Sequence, residues 1–369
     1  MNPVKIFLCG DVMTGRGIDR VLPHPCAPQL HEEYMTSTDG YVRLAEISSG
    51  PIPRPVDFSY IWGVALDEWR RTAPDVRVIN LETAVTGSDA FEPKGINYRM
   101  SPKNVGCLTA AGIDCCVLAN NHVLDWGVEG LLETLEVLEQ RQLKACGAGR
   151  NIAEARAPAI HVVPDRGRVL VFSFALASSG TPPSWAARSD KPGVSFLRDL
   201  SDATADKIAA EIERVRTSGD IVIVSIHWGP NWGYSIPDSQ RRFAHRLIDD
   251  ANVSAIYGHS SHHPKAMEVY RNRLVLYGCG DFINDYEGIS GHEEYRSDLS
   301  LMYFADFDAG SADLIDLELV VLQIRRFQLN AASSEDTEWL GTILARECVR
   351  FGVKFQRSSG NRFRAAIGG

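Results

Sequence analysis

The chain has 369 residues, 44% of them hydrophobic and 23% charged, an ordinary globular composition with enough length for one large domain or two medium ones. Its net charge is −9 and no block of like charges stands out, which argues against a nucleic-acid groove. An acidic substrate would need a local basic site. No run reaches the ~18 consecutive apolar residues of a membrane span. The opening MNPVKIFLCGD lacks the apolar core and small-residue cleavage site of a signal peptide, so a cytoplasmic protein with no membrane partner is expected. The eight cysteines form no CxxC pair and are expected to be reduced, buried thiols.

In chain order, the first β-rich run covers 4–10 and is followed by a Pro-, Gly- and Ser-rich insertion at 24–56. Strands are expected at 76–82 and 113–120, then a helix over 128–143 with Leu131, Leu135 and Leu138 on one face. A strand at 168–175 leads to a second insertion, 178–195, and to a helix at 201–219 with Ser or Asp at its start and Gly at its stop. Strand 220–229, helix 239–251 and strands 254–260, 273–281, 300–308 and 315–329 follow, and a last helix covers 333–352. Alternating strands and helices predict an α/β fold, one domain over 1–355 with a loosely held polar tail at 356–369. Insertions as long as these often act as lids.

Six strands end on polar residues. Gly10-Asp11, Asn80-Leu81-Glu82, Asn120-Asn121-His122, His227-Trp228-Gly229, Gly258-His259 with His262 and His263 beyond it, and Gly280-Asp281 all fall where a strand stops. Each alone admits a plain reading: Asn-Asn is a common turn, and Asp after Gly, as at Asp281, is a common turn or cap. Six together at the carboxyl edge of an α/β sheet point to a ligand site. Carboxylate, amide oxygen and neutral imidazole are the donors that divalent ions take, with Ca, Mn or Mg favoured and Zn or Fe also served.

The segments CGDVMTGRG (9–17), INLETAVT (79–86), ANNHVLDWG (119–127), HWGPNW (227–232), YGHSSHHP (257–264) and LYGCGDFINDYEG (276–288) resemble, in this order, the CapA (poly-γ-glutamate capsule synthesis) family. That resemblance implies a calcineurin-like metallophosphatase fold, two packed mixed β-sheets flanked by helices with metal at one end. It implies Asp11, Glu82, Asn121, His227 and His259 as metal ligands, and Asp11, His122, His259 and His262 as acid/base or catalytic groups. Three departures stand out, one of them Asn120, where the pattern has Gly before the Asn-His pair. The position two after Asp11 is Met13 where phosphatases have His, and His262 lies one residue further along than the Gly-His-x-His pattern would place it. An eroded two-metal site makes phosphoester hydrolysis a weaker expectation than the fold suggests.

Aromatic residues surround the presumed ligand His227, and Trp232 is expected at the mouth of the site, with Asn80 and Arg99 as further substrate-binding candidates; an arginine forms bidentate pairs with carboxylates. A hard ion beside paired acid and base suits proton exchange next to a carbonyl. The favoured expectation is therefore a metal-dependent peptide epimerase, similar to the CapA-like enzymes that invert the C-terminal tryptophan of lasso-peptide precursors. A CapA-type enzyme of poly-γ-glutamate synthesis or processing, acting on polyglutamate, and a metallophosphoesterase are the alternatives.

Overall fold

Residue alternation along Val4–Cys9 sets the architecture: Ile6 and Leu8 face one apolar cluster while Phe7 and Cys9 face another. A strand buried on both faces must lie between layers. The computed structural model, which describes residues 3–366, contains two large mixed sheets packed on each other with helices outside, as the resemblance implied. The first sheet has eleven strands and follows the order Asp281–Ile283, Asp11–Val12, Val76–Leu81, Val4–Cys9, Leu299–Phe307, Leu314–Arg325, Arg362–Ala366, Lys354–Arg357. Cys115–Val117 joins it beside Val76–Leu81 and is flanked in turn by Lys144–Cys146. The helices Thr38–Ser49, Ala65–Thr72 and Gly127–Gln140 contribute to the cluster on its outer face.

The second sheet has seven strands built around four parallel ones, Gly167–Leu176, Ile221–His227, Ala255–His259 and Arg273–Leu276. Ile221–His227 is buried along its whole length, the continuous apolar run expected of a parallel strand covered on both faces. Asp202–Glu213 and Asp238–Ala251 supply the covering helices. Ser201 caps the first of these by accepting a hydrogen bond from Thr204 N.

Three expectations change. The strand expected at 113–120 is only Cys115–Val117, because Asn120 turns inward to accept from His122 N and Val123 N instead of continuing the ladder. The run 315–329 is a hairpin, Leu314–Arg325 and Gln328–Ala331, with Arg326 and Phe327 both left-handed (φ 55° and 52°) and Phe327 fully buried. The tail is not loose through 366: Arg362–Ala366 pairs with Leu314–Arg325 and with Lys354–Arg357, burying Phe363 and Ala365 on alternate positions. The 24–56 insertion carries one helix of 12 residues, Thr38–Ser49, capped by Ser37.

Candidate metal centre

Strand register brings the polar ends together. In the first sheet Asp281 pairs with Asp11 and Asp11 with Asn80, so three neighbouring strands present polar residues in one row. In the second sheet His227 pairs with His259 on adjacent parallel strands. The two edges meet: His259 Nδ1 stands 3.3 Å from Asp11 Oδ1, and His227 Nε2 lies 3.9 Å from Glu82 Oε1. Two groups of potential ligands share Asp11. One is Asp11, Glu82 and His227, the other Asp11, His262 and Asp281, each with donor atoms within 4.8 Å of one another and all buried.

The backbone permits this only through glycine. The sequence Cys-Gly-Asp occurs twice, at 9–11 and 279–281, and the two copies lie side by side. A Cβ at Gly10 would stand 2.0 Å from Gly280 O, and Gly280 has φ 77°. No side chain fits at the first, and an L-residue is strained at the second.

The donors fit a divalent cation. Among the described residues His259 has no hydrogen-bond partner at either ring nitrogen and His227 none at Nδ1, although both are buried. Orphaned buried polar atoms of this kind are costly without a ligand. Burial first, and then the charge of Asp11, raise the Glu82 carboxyl well above its ordinary value. Burial would raise Asp11 as well, but His259 and His227 facing it hold it below the usual carboxylate range. Burial pushes His227 down to about 3, leaving it a neutral imidazole able to ligate. Asp11, Glu82, His227 and His259 would hold the ion. The Asn121 amide oxygen, 3.0 Å from His227 Nε2, is at the same edge. The thiols of Cys9 and Cys279 are pushed up by burial and belong to neither group.

Two imidazole–carboxylate pairs flank this row. At one end His122 Nδ1 is 2.6 Å from Asp125 Oδ2, and its Nε2 faces Glu82 Oε1 at 3.8 Å. Asp125 also accepts from Tyr98 N at 2.6 Å and pairs with Lys94 Nζ at 2.7 Å. Burial lowers His122 to about 4 despite the nearby carboxylate. At the other end His262 Nδ1 is 2.9 Å from Asp281 Oδ1. Burial alone would lower His262, but the Asp281 charge overrides it and raises the ring above the ordinary imidazole range. Tyr98 and Tyr286 span the space between, joined OH to OH at 3.0 Å, with Tyr98 edge-on to His122 and Tyr286 edge-on to His262.

Among the substrate-binding candidates, Trp232 lies at the mouth, 5.3 Å from His262 between ring centroids and stacked on His292 at 4.1 Å. Asn80 does not face a substrate: it is fully buried, donating to Asp11 Oδ1 and Glu82 Oε2 at 2.8 and 3.0 Å, so it positions carboxylates. Arg99 is turned away from the centre, stacked on Trp126 at 3.8 Å and paired with Asp89 at 2.9 Å. Arg16, another arginine of the matched motifs, is occupied by the chain's own Asp285 and Glu32. Sequence reasoning placed Asp281 at a strand end but gave it no role, and gave none to Asp125 or Lys94. The repeated Cys-Gly-Asp was a usable signal for Asp281, and the i, i+3 spacing from His122 for Asp125. Lys94, in an aperiodic loop, gave none.

The fold and this edge of mixed histidines and carboxylates define a protein of the capsule-synthesis class. Residues 5–286 match the family described as "Bacterial capsule synthesis protein PGA_cap", and the chain belongs to that family. It is 48% identical over 357 residues to a "Probable polyglutamine synthesis accessory protein" of Mycobacterium tuberculosis, covering 96% of this chain and 94% of that one. It is 27% identical over 278 residues to the PGA biosynthesis protein CapA of Bacillus subtilis, covering 75% of this chain and 62% of that one. Among solved structures it is similar to a phosphatase from Mycoplasma pneumoniae, with a TM-score of 0.47, 11% identity, and coverage of 90% of this chain and 95% of that one. No described helix is long and apolar enough to cross a membrane.

Proposed function

We propose that this protein is a metal-dependent acid–base enzyme that inverts a Cα centre in a peptide, with a C-terminal residue such as tryptophan as the favoured position. The observation that carries this reading is the pair of imidazole–carboxylate couples at the two ends of the ligand row, His122–Asp125 and His262–Asp281. A divalent ion held by Asp11, Glu82, His227 and His259 would polarise a carbonyl and stabilise enolate-like charge. Neutral His122, its Nδ1 proton held by Asp125, presents Nε2 as the base that takes the Cα proton. His262, holding its own proton beside Asp281, returns one to the opposite face. One C–H bond breaks and one forms, and the two rings end with their protons exchanged. Two groups with divergent proton affinities are the arrangement such a reaction needs.

The test is solvent exchange. The protein is incubated in D2O with a divalent-ion panel and peptides including free C-terminal tryptophan, followed by mass and chiral amino-acid analysis. Metal-dependent gain of one deuteron without cleavage, abolished by EDTA, Asp11→Ala and His122→Ala, is expected. Cleavage of glutamyl or glutaminyl oligomers without exchange would instead support the second reading, an accessory enzyme of polyglutamine or polyglutamate synthesis, which the similarity to the mycobacterial protein along nearly the whole chain favours.

A further inference from the structure

A cavity of about 770 Å³ opens beside His262 and Trp232. Its walls come from the 24–56 insertion, through Tyr34, Ser48 and Ser49, and from residues 284–298 and 323–325. The charge on those walls is informative. Three arginines line it, Arg16, Arg296 and Arg325, against three carboxylates, Glu287, Glu293 and Asp298. Two of the arginines already have partners. Arg16 pairs with Asp285 and Glu32 at 2.5 and 3.1 Å and is nearly inaccessible. Arg296 pairs with Asp298 and Asp336 at 2.7 and 2.6 Å. With those partners counted, three guanidiniums stand among six carboxylates, and only Arg325 has no ion pair among the described residues.

A polyanion entering this cavity meets twice as many carboxylates as guanidiniums, with Arg325 and the His262 ring as its favourable partners, and like-charge juxtaposition is disfavoured. An uncharged chain meets suitable partners. The hydroxyls of Ser48, Ser49, Ser290 and Ser297 and the side-chain amide of Asn231 make no hydrogen bond among the described residues. Trp232, half-buried and stacked on His292, adds aromatic surface to the wall.

We infer that the cavity admits peptide segments with uncharged side chains, glutaminyl or aromatic, and discriminates against polyglutamate. This rests on the proposed function only in placing such a segment against His262. Binding is measured by anisotropy with labelled hexaglutamine and hexaglutamate, on the full chain, with saturating Mn2+ and again with EDTA. Hexaglutamine binds at least tenfold more tightly in both conditions. Glu293→Lys, which alters one exposed wall charge, narrows that preference, while Arg325→Gln leaves hexaglutamine affinity within about twofold. Equal or tighter binding of hexaglutamate, or no hexaglutamine binding at millimolar concentration, overturns the inference. Since no chemistry enters this assay, absence of isotope exchange would sink the proposed reaction and leave the binding preference standing.

Discussion

Replacing Asp125 by Asn separates orientation from metal binding. Asp125 is fully buried and makes three charge-assisted contacts, with His122 Nδ1 at 2.6 Å, Tyr98 N at 2.6 Å and Lys94 Nζ at 2.7 Å. It touches neither group of ligand atoms. An amide in its place can donate to His122 Nδ1, which drives the ring proton to Nε2 and removes the base. Loss of a positioned general base costs about 10²- to 10⁴-fold in rate. The stability cost is smaller. Breaking a fully buried ion pair costs ~3–5 kcal/mol, but Lys94 is 24% exposed and can reach water, so a loss of about 2 kcal/mol is expected. The assay is the initial rate of deuterium incorporation, beside urea denaturation and calorimetric Mn2+ binding. Expected are native Mn2+ affinity, a modest loss of stability and a rate down at least a hundredfold. Adding Lys94→Met recovers part of the stability and none of the rate. A folded Asp125→Asn variant exchanging within threefold of the native rate would refute the role given to His122.

Asp281→Asn, which removes a carboxylate from the group it forms with Asp11 and His262, should weaken divalent-ion binding tenfold or more by calorimetry, while saturating Mn2+ should raise the unfolding temperature of the native chain and do so less for this variant. Gly10→Ala should cost on the order of 3 kcal/mol or prevent folding, since its Cβ would meet Gly280 O at 2.0 Å; a native melting temperature would contradict the geometry. Burial lowers Lys265 from 10.5 to about 8 in the fold, where its ammonium donates to Ser235 O at 2.8 Å. Its unfolded form binds the proton more tightly, so this group adds stability as pH rises from 8 to 10.5 and imposes a constant cost below 8. Lys265→Met should therefore stabilise by on the order of 3 kcal/mol at pH 7, and the gain should shrink across that window in paired urea titrations; a pH-independent difference would sink it.

Strands and their polar ends were legible because both follow from local pattern. Six apolar runs ending on Asp, Glu, Asn or His needed only the strand period and the rule that parallel strands deliver ligands at their carboxyl edge. Orientation was not legible. Arg99 and Tyr98 are neighbours in sequence, yet Tyr98 reaches His122 while Arg99 leaves to stack on Trp126. Asn80 and Glu82 share a face and both turn inward, which makes Asn80 a clamp on the ligands and not a contact for substrate. The tail failed for a related reason: RFRAA alternates like an edge strand, but its partner, Leu314–Arg325, is separated from it in sequence by the helix Ser334–Cys348.

Met13 and Asp281 together show how this edge departs from the phosphatase pattern. Met13 occupies the position where that pattern has a histidine, and it is buried with the Tyr286 hydroxyl 3.6 Å from its sulfur. Asp281 and His262 approach Asp11 from the adjoining strand and from the loop after His259. The polar groups on that side therefore come from different backbone positions, and the Asp281 charge raises the His262 ring against the effect of its burial. A histidine held protonated is a poor ligand and a good acid. On the proposed function, His262 would be the proton donor that two-sided exchange at carbon requires. Of the residues given ligand or acid–base roles above, His262 alone lines the large cavity, so on the proposed function a peptide held there would lie against it.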